Sequence, residues 1–193
     1  MLKQITDRLA ANIQGIVQKT IPLATQRHTT DGKLFPAIYK GNGQYSEISP
    51  DNYAGLSYFR MNGKVRISEA DNGKRSMNDL NSYLYPIRLV VCVKNDLIGV
   101  DDEFSPDLIA MSFIKVINES SGQLKQDLEA NFTTIRAESY DTDVKDILSE
   151  EFAGIERLKN SVPYQYSLIA IDINVEIIIS TECINLLCKS YCS

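Results

Sequence analysis

The sequence has only one histidine, His28, and no tryptophan. A serine or cysteine nucleophile normally needs a base held beside it, and histidine most often fills that role. His28 lies in a polar stretch, residues 25–32, in which nothing resembles a nucleophile motif. We therefore expect a surface histidine, and we expect the protein to act by binding or assembly rather than as an enzyme.

Cysteines in metal-binding patterns are also missing. Three of the four cysteines, Cys183, Cys188 and Cys192, fall within the last eleven residues, at spacings of five and four. These spacings match neither paired C-x-x-C zinc knuckles nor a nearby histidine partner. Cys92 lies in an apolar run, where a cysteine usually acts as a small hydrophobic residue. The sequence thus predicts no metal site and no cofactor.

Long uninterrupted apolar runs are absent as well. Asp7 and Arg8 interrupt the stretch that a signal peptide would need, and the most apolar segment, residues 168–179, is too short and too polar for a membrane-spanning helix. Glycine and proline are sparse, at ten and six residues, and 44% of the chain is hydrophobic. This composition predicts one folded domain spanning residues 1–193.

The two halves of the chain carry opposite net charge: the first half has few acidic residues, and the second half has few basic residues. Residues 1–90 hold 12 Lys/Arg against 7 Asp/Glu, whereas residues 91–193 hold 8 against 18. If the two halves end on different surfaces, identical copies would attract one another head to tail or in a ring. The simpler alternative is that these charges only keep the outer surface solvated.

Helix and turn signals are clear in the first third of the chain. Apolar residues recur at spacings of three and four over residues 2–17, which predicts an amphipathic helix. Residues 35–48 predict a strand, a turn at Gly41-Asn42-Gly43 and a second strand. Residues 57–67 contain Asn62-Gly63, which favours a type I′ hairpin that projects from the surface.

Residues 45–82 together predict an inserted hairpin followed by an exposed polar loop at 68–82, and residues 181–193 predict a cysteine-containing tail. Residues 85–93 form a β-branched run that is typical of a central strand.

Helices and strands alternate through the second half of the chain. Ser105 followed by Pro106 predicts a helix start, and Asp143 predicts another helix N-cap. Residues 132–140 alternate as a strand does. Residues 166–180 alternate strictly between aliphatic and polar side chains, which predicts a long strand with one buried face. The expected fold is α+β, with a largely antiparallel sheet, helices packed on one face and a projecting hairpin.

Acidic and basic clusters offer candidate sites of two kinds. Asp101-Asp102-Glu103 and the pair Asp141 and Asp143 lack the spaced ligands of a calcium loop, and helix starts explain both groups. The candidate interface joins the basic hairpin to the polar side of the last strand: Tyr58, Arg60, Lys64, Arg66, Lys74, Arg75, Asp172, Asn174 and Glu176.

The order of these elements resembles that of the neck and tail-terminator (head–tail connector) proteins of tailed bacteriophages. Residues 85–91 and 166–175 match best. The resemblance implies a non-enzymatic virion subunit, made in the host cytoplasm. It also implies a homo-oligomeric ring that joins the portal or adaptor to tail proteins, with DNA passing through its channel without sequence-specific contact.

Two other functions stay open at this point. One is a small-molecule-binding or enzymatic α+β domain, with His28, Asp101, Asp102 and the 68–82 loop around a pocket. The other is a nucleic-acid binder that uses the basic hairpin through Arg60, Lys64 and Arg66.

Overall fold

A computed structural model of the chain describes residues 1–69, 80–95, 105–155 and 165–180. Helices are α1 (Leu2–Ile13), α2 (Pro106–Glu119), α3 (Ser121–Asp127) and α4 (Val144–Glu151). Strands are β1 (Lys19–His28), β2 (Leu34–Gly41), β3 (Gln44–Glu47), β4 (Gly55–Met61), β5 (Arg66–Glu69), β6 (Leu80–Lys94), β7 (Phe132–Asp141) and β8 (Tyr166–Ser180).

The eight strands form one mixed sheet in the order β3-β2-β1-β4-β6-β8-β7, and β5 also pairs with β6. Of the strand pairs in the described part of the chain, only β1 and β4 run parallel. The predicted α+β class with a largely antiparallel sheet is therefore confirmed.

Strands β6 and β8 form the centre of the sheet. They pair antiparallel at all fifteen positions, from Leu80 opposite Ser180 to Lys94 opposite Tyr166. The predicted aliphatic row of β8 is buried, and each of its members is at most 1% exposed: Ile169, Ile171, Ile173, Val175, Ile177 and Ile179. The alternation in the sequence predicts this burial, because successive side chains of a strand point to opposite faces.

Both faces of the sheet carry helices. The aliphatic row of β8 packs with α1, α2 and α3 in one hydrophobic cluster. On the opposite face, α4 packs against β4, β6 and the start of β8. The helix contributes Ile147 and Leu148, and Phe152 follows at its C-terminal end. The expectation that all helices share one face is therefore wrong, because the apolar face of α4 covers the second side.

The hairpin predicted at Asn62-Gly63 does not form. Strands β4 and β5 do not pair with each other, and both pair with β6, on either side of a break at Pro86. The amide of Asn62 donates to the Pro86 carbonyl at 2.9 Å, and Gly63 has a φ of +131°. Asn-Gly here lies in an irregular, bulge-like connection between β4 and β5, opposite a proline that has no N–H to donate.

Residues 45–82 are therefore not the inserted hairpin and loop that the sequence predicts. They contribute β3, β4, β5 and the start of β6 to the main sheet, and β4 lies between β1 and β6. Residues 70–79, which include most of the predicted loop, lie outside the described residues, as does the 181–193 tail.

The hairpin predicted around Gly41-Asn42-Gly43 is confirmed. Strands β2 and β3 pair antiparallel, with Gly41 opposite Gln44. Asn42 and Gly43 have φ values of +49° and +74°, as a two-residue hairpin turn requires. This hairpin, rather than residues 57–67, lies at the free end of the sheet.

Helix α1 is shorter than predicted, and the strand that follows it was missed. The helix ends at Ile13, and Gly15 has a φ of +92°. Glycine adopts this conformation without steric cost and ends a helix in doing so. Ile16 is therefore exposed rather than part of the helix stripe.

The predicted helix caps are confirmed. The Ser105 hydroxyl accepts from the Leu108 amide at 3.3 Å at the start of α2. Asp143 accepts from the amides of Lys145 and Asp146 at 2.8 and 3.2 Å at the start of α4. Within the described ranges, no helix has the length and apolar character that a membrane crossing requires.

Candidate functional site

A buried ion pair joins α4 to the sheet. Arg60 of β4 donates from Nε to both carboxylate oxygens of Glu151 at 2.9 Å, and from a terminal nitrogen at 2.5 Å. The Tyr58 hydroxyl and the Gln26 amide also donate to Glu151, at 3.1 and 3.3 Å. Because Glu151 is fully buried, its charge depends on these partners.

A second ion pair continues the network on β6 and β8. Arg88 donates to both oxygens of Asp172, at 2.7 and 2.9 Å, and pairs with Glu150 on its other side. Asn62 and Ser139 donate to the same Asp172 carboxylate at 2.7 and 3.4 Å. The bulge at Asn62 thus connects the two ion pairs, since its side-chain oxygen also accepts from Arg60.

The anchoring residues form a row across three strands. Arg60 is the register partner of Arg88, and Arg88 is the register partner of Asp172. Two like charges directly opposite each other destabilise a sheet. Glu151 lies between the two arginines, hydrogen-bonded to Arg60 and 3.8 Å from Arg88, and offsets their repulsion.

The network shifts the ionisation of its members. Burial, together with the charge of Glu151, raises the pKa of Tyr58 well above its usual range. The hydrogen bonds to Asp172 raise the pKa of Arg88. Burial alone would raise the pKa of Asp172, but the hydrogen bonds and charge of Arg88 outweigh it and lower that pKa.

This network is built to hold a helix in place. All three guanidinium nitrogens of Arg60 donate to protein acceptors. In the described part of the chain, no group of three or more His, Cys, Asp or Glu side chains is placed to hold a metal ion. The chemistry that follows from the geometry is electrostatic anchoring of α4.

Replacing Asp172 by asparagine tests this anchoring through pH. The lowered pKa means that Asp172 contributes stability above its unfolded pKa of about 4, and that this contribution disappears as pH falls through the folded pKa. We expect Asp172→Asn to lower the free energy of unfolding by roughly 1–2 kcal/mol at neutral pH. Urea unfolding at several pH values should show the gap to the natural protein closing below about pH 4.

The control for this experiment is Asp127→Asn, which removes a carboxylate of similar exposure from its ion pair with the more exposed Arg8. It should cost less than about 1 kcal/mol at neutral pH. A gap for Asp172→Asn that stays constant from neutral pH to about pH 2 would contradict the assigned role.

A groove runs along β1 on the surface. Its apolar part has a volume of about 450 Å³, with Ile21–Ala24 of β1 as the floor, α1 on one side and Ile38 and Tyr39 on the other. A second cavity of about 470 Å³ continues it towards the end of α1. Asp7 and Lys19 line both cavities, so they form one groove.

An aromatic and cationic cluster borders the groove. The rings of Tyr39 and Tyr45 lie 5.2 Å apart, and the Arg27 guanidinium lies 4.1 Å from the centre of the Tyr45 ring. Both tyrosines are exposed. A cation above an aromatic ring is attracted to it, so Arg27 holds the β2–β3 hairpin against β1.

The structure separates the residues of the predicted interface. Tyr58 and Arg60 are buried in the ionic network, so the expectation that they project from the surface is wrong. Lys64 and Arg66 are exposed next to the bulge, and Lys74 and Arg75 lie outside the described residues.

On β8, the three predicted polar residues are half-buried: Asp172, Asn174 and Glu176. Asp172 pairs with Arg88, and Glu176 accepts from the Ser82 hydroxyl at 2.7 Å. Asp172 and Glu176 are thus engaged within the chain. His28 is exposed at the end of β1, while Asp101 and Asp102 lie outside the described residues.

Sequence reasoning missed the ionic network and the groove. A signal for the network was present, since Arg60 and Arg88 each stand among apolar residues of a strand, where a charge needs a partner. No comparable signal pointed to the groove, because it depends on the unrecognised strand β1.

The fold and this site define the chain as an α+β protein with a mixed sheet whose polar network locks a helix in place. A scan against protein-family models and a search of curated proteins both give no significant match.

Proposed function

We propose that the chain is a structural subunit of a bacteriophage neck or tail, which forms a homo-oligomeric ring between the portal or adaptor and the tail proteins. The observation that carries this proposal is a division of charge between the two ends of the sheet. Residues 1–47, which form α1 and β1–β3, hold six Lys/Arg against three Asp/Glu. Residues 105–141, which form α2, α3 and β7, hold three against six.

These two segments end at opposite edges of the sheet, since β3 is the first strand in its order and β7 is the last. The basic end of one copy therefore attracts the acidic end of another. A contact between two different surfaces of identical subunits produces a closed ring or an open filament. The element order resembles that of phage neck and tail-terminator proteins, and this resemblance leads us to propose a place in a virion, around a DNA channel.

The central strands support a role in assembly. Strands β6 and β8 have fifteen residues each, or about 50 Å of extended chain, whereas the eight residues of α4 span only about 12 Å. Much of the α4 side of the sheet thus extends past that helix. Long strands of this kind give a subunit the reach to contact neighbours around a ring.

Ring formation is tested by light scattering during size-exclusion chromatography, followed by electron microscopy of negatively stained particles. We expect a closed oligomer with an axial opening, and a lower oligomer fraction at about 1 M salt, because added salt screens exposed charges. A monomer at every concentration and salt condition would overturn the proposal.

The groove along β1 favours a second candidate, a small-molecule-binding domain. Its volume of about 450 Å³ falls in the range of ligand pockets, and its floor is apolar. A ligand screen that raises the melting temperature of a monomeric protein would favour this function over the ring.

A further inference from the structure

We infer that neighbouring copies meet when the exposed face of α2 on one copy fills the groove along β1 on the next. This inference rests on the proposed ring and names the two surfaces that would build it. The occupant of the groove is thus a second copy of this chain.

The groove suits side chains better than an added strand. Residues 19–24 of β1 pair with β4 on one edge only, and β2 pairs with β1 from Thr25 onward. Pro22 lines both cavities at this edge and has no N–H to donate, a feature that discourages strand pairing. Ile21 and Ala24 are already buried in the cluster with α4, but Pro22 and Leu23 are only half-buried and can cover apolar side chains from a helix.

Helix α2 carries such side chains on its outer face. Leu108 and Met111 are 50% and 54% exposed, although the other side of the same helix is buried through Ala110, Phe113 and Ile117. Because they are three residues apart, Leu108 and Met111 are neighbours on the helix surface. They form a small apolar patch at the acidic end of the molecule.

The β7 edge beside α2 is closed to strand addition at its middle. The amides of Ile135 and Ala137 donate to Ser121 and Asn118 of the helices, at 3.2 and 3.3 Å. Since a side chain already occupies each of these donors, a partner must meet this end through side chains. The patch of Leu108 and Met111 supplies them.

Charge makes the two surfaces complementary. Lys19 lies in the lining of the groove, Arg27 lies further along β1, and Lys40 lies on β2. No described carboxylate is within salt-bridge distance of these three side chains. The α2 end has a balance of −3 over residues 105–141, with three Lys/Arg against six Asp/Glu. Opposite potentials of this kind orient two surfaces before apolar contact forms.

Two double variants test the pairing without touching the core. The groove variant carries Lys19→Glu and Thr25→Glu, and the helix variant carries Leu108→Gln and Met111→Gln, which adds no charge that could pair with the altered groove; all four side chains are exposed. The control carries Lys64→Glu, between β4 and β5, and Arg66→Glu, at the start of β5; both residues are exposed and the inferred contact does not use them. Circular dichroism and melting temperatures establish that each variant is folded.

We expect the natural protein and the control to form rings, and each double variant alone to be monomeric. An equimolar mixture of the two variants should form a species with twice the monomer mass and stop there, because only one groove and one helix face in each pair remain intact. Sedimentation velocity at and above the concentration at which the natural ring forms measures this.

Each alternative outcome has a distinct meaning. Rings formed by either folded double variant overturn the inferred surfaces but leave the proposed ring standing. A mixture that stays monomeric overturns the head-to-tail pairing of these two surfaces. A natural protein that never oligomerises overturns both the inference and the proposed function.

Discussion

Replacing Glu151 by glutamine is expected to lower the free energy of unfolding by about 3–5 kcal/mol, because it leaves the buried Arg60 without a counter-charge. Glutamine keeps the size of the side chain and one acceptor, so the loss reports charge rather than volume. For a chain of this length, the change lowers the melting temperature by roughly 6–20 °C. Calorimetry and urea unfolding measure both quantities.

The adjacent residue provides the matched control. Glu150→Gln makes the same chemical change, but the Glu150 side chain is half exposed and pairs with Arg88 at the surface. It should cost less than about 1 kcal/mol. Equal effects for the two glutamine variants would contradict the distinction between a buried and an exposed pair.

A third variant separates the cost of an unpaired charge from the value of the pair. Replacing both partners, with Arg60→Met and Glu151→Leu, removes the charges together and keeps apolar volume. Buried ion pairs exchanged in this way are often neutral or stabilising. We therefore expect the double variant to be more stable than Glu151→Gln, although the Tyr58 hydroxyl loses its acceptor.

The elements predicted correctly are those whose cause lies within a short segment. The alternation of β8, the Ser105 and Asp143 caps and the Asn42-Gly43 turn each depend on neighbouring residues alone. The error at Asn62-Gly63 has a different origin. The same dipeptide suits a hairpin turn or a bulge, and only the pairing of both flanking strands with distant β6 decides between them.

This error also explains why the predicted interface includes two buried residues. A projecting hairpin at residues 57–67 would place Tyr58 and Arg60 at the surface. In the sheet, Arg60 instead lies on a central strand, where its charge requires Glu151 from 91 residues further along the chain. Partners so distant in sequence are joined by tertiary structure, which a local pattern does not encode.

Strand β1 shows a second reason why local sequence patterns fail to predict an element. Pro22 and the polar residues around His28 favour a loop, because proline removes a donor from a strand. In the structure, residues 19–24 need ladder partners only towards β4, so the proline at this position is tolerated. The groove, and with it the inferred contact between copies, follows from this one-sided pairing.

Truncating the aliphatic row of β8 tests the burial on which the fold depends. Ile171→Ala removes methyl and methylene groups from a fully buried site between the sheet and its helices. Such truncations cost about 2–5 kcal/mol, as the lost burial adds to the cost of the cavity left behind. Thermal or urea unfolding should place Ile171→Ala in this range.

Ile178→Ala is the companion measurement, since it deletes the same atoms from the same strand on the opposite face. Ile178 is only half-buried and pairs in register with Ser82 and Phe132. Its loss should cost about 1 kcal/mol, because less apolar surface leaves water when the chain folds. If the two alanine variants were equally destabilised, the two sides of β8 would be equally buried, and the open sheet surface on which the assembly proposal draws would not exist.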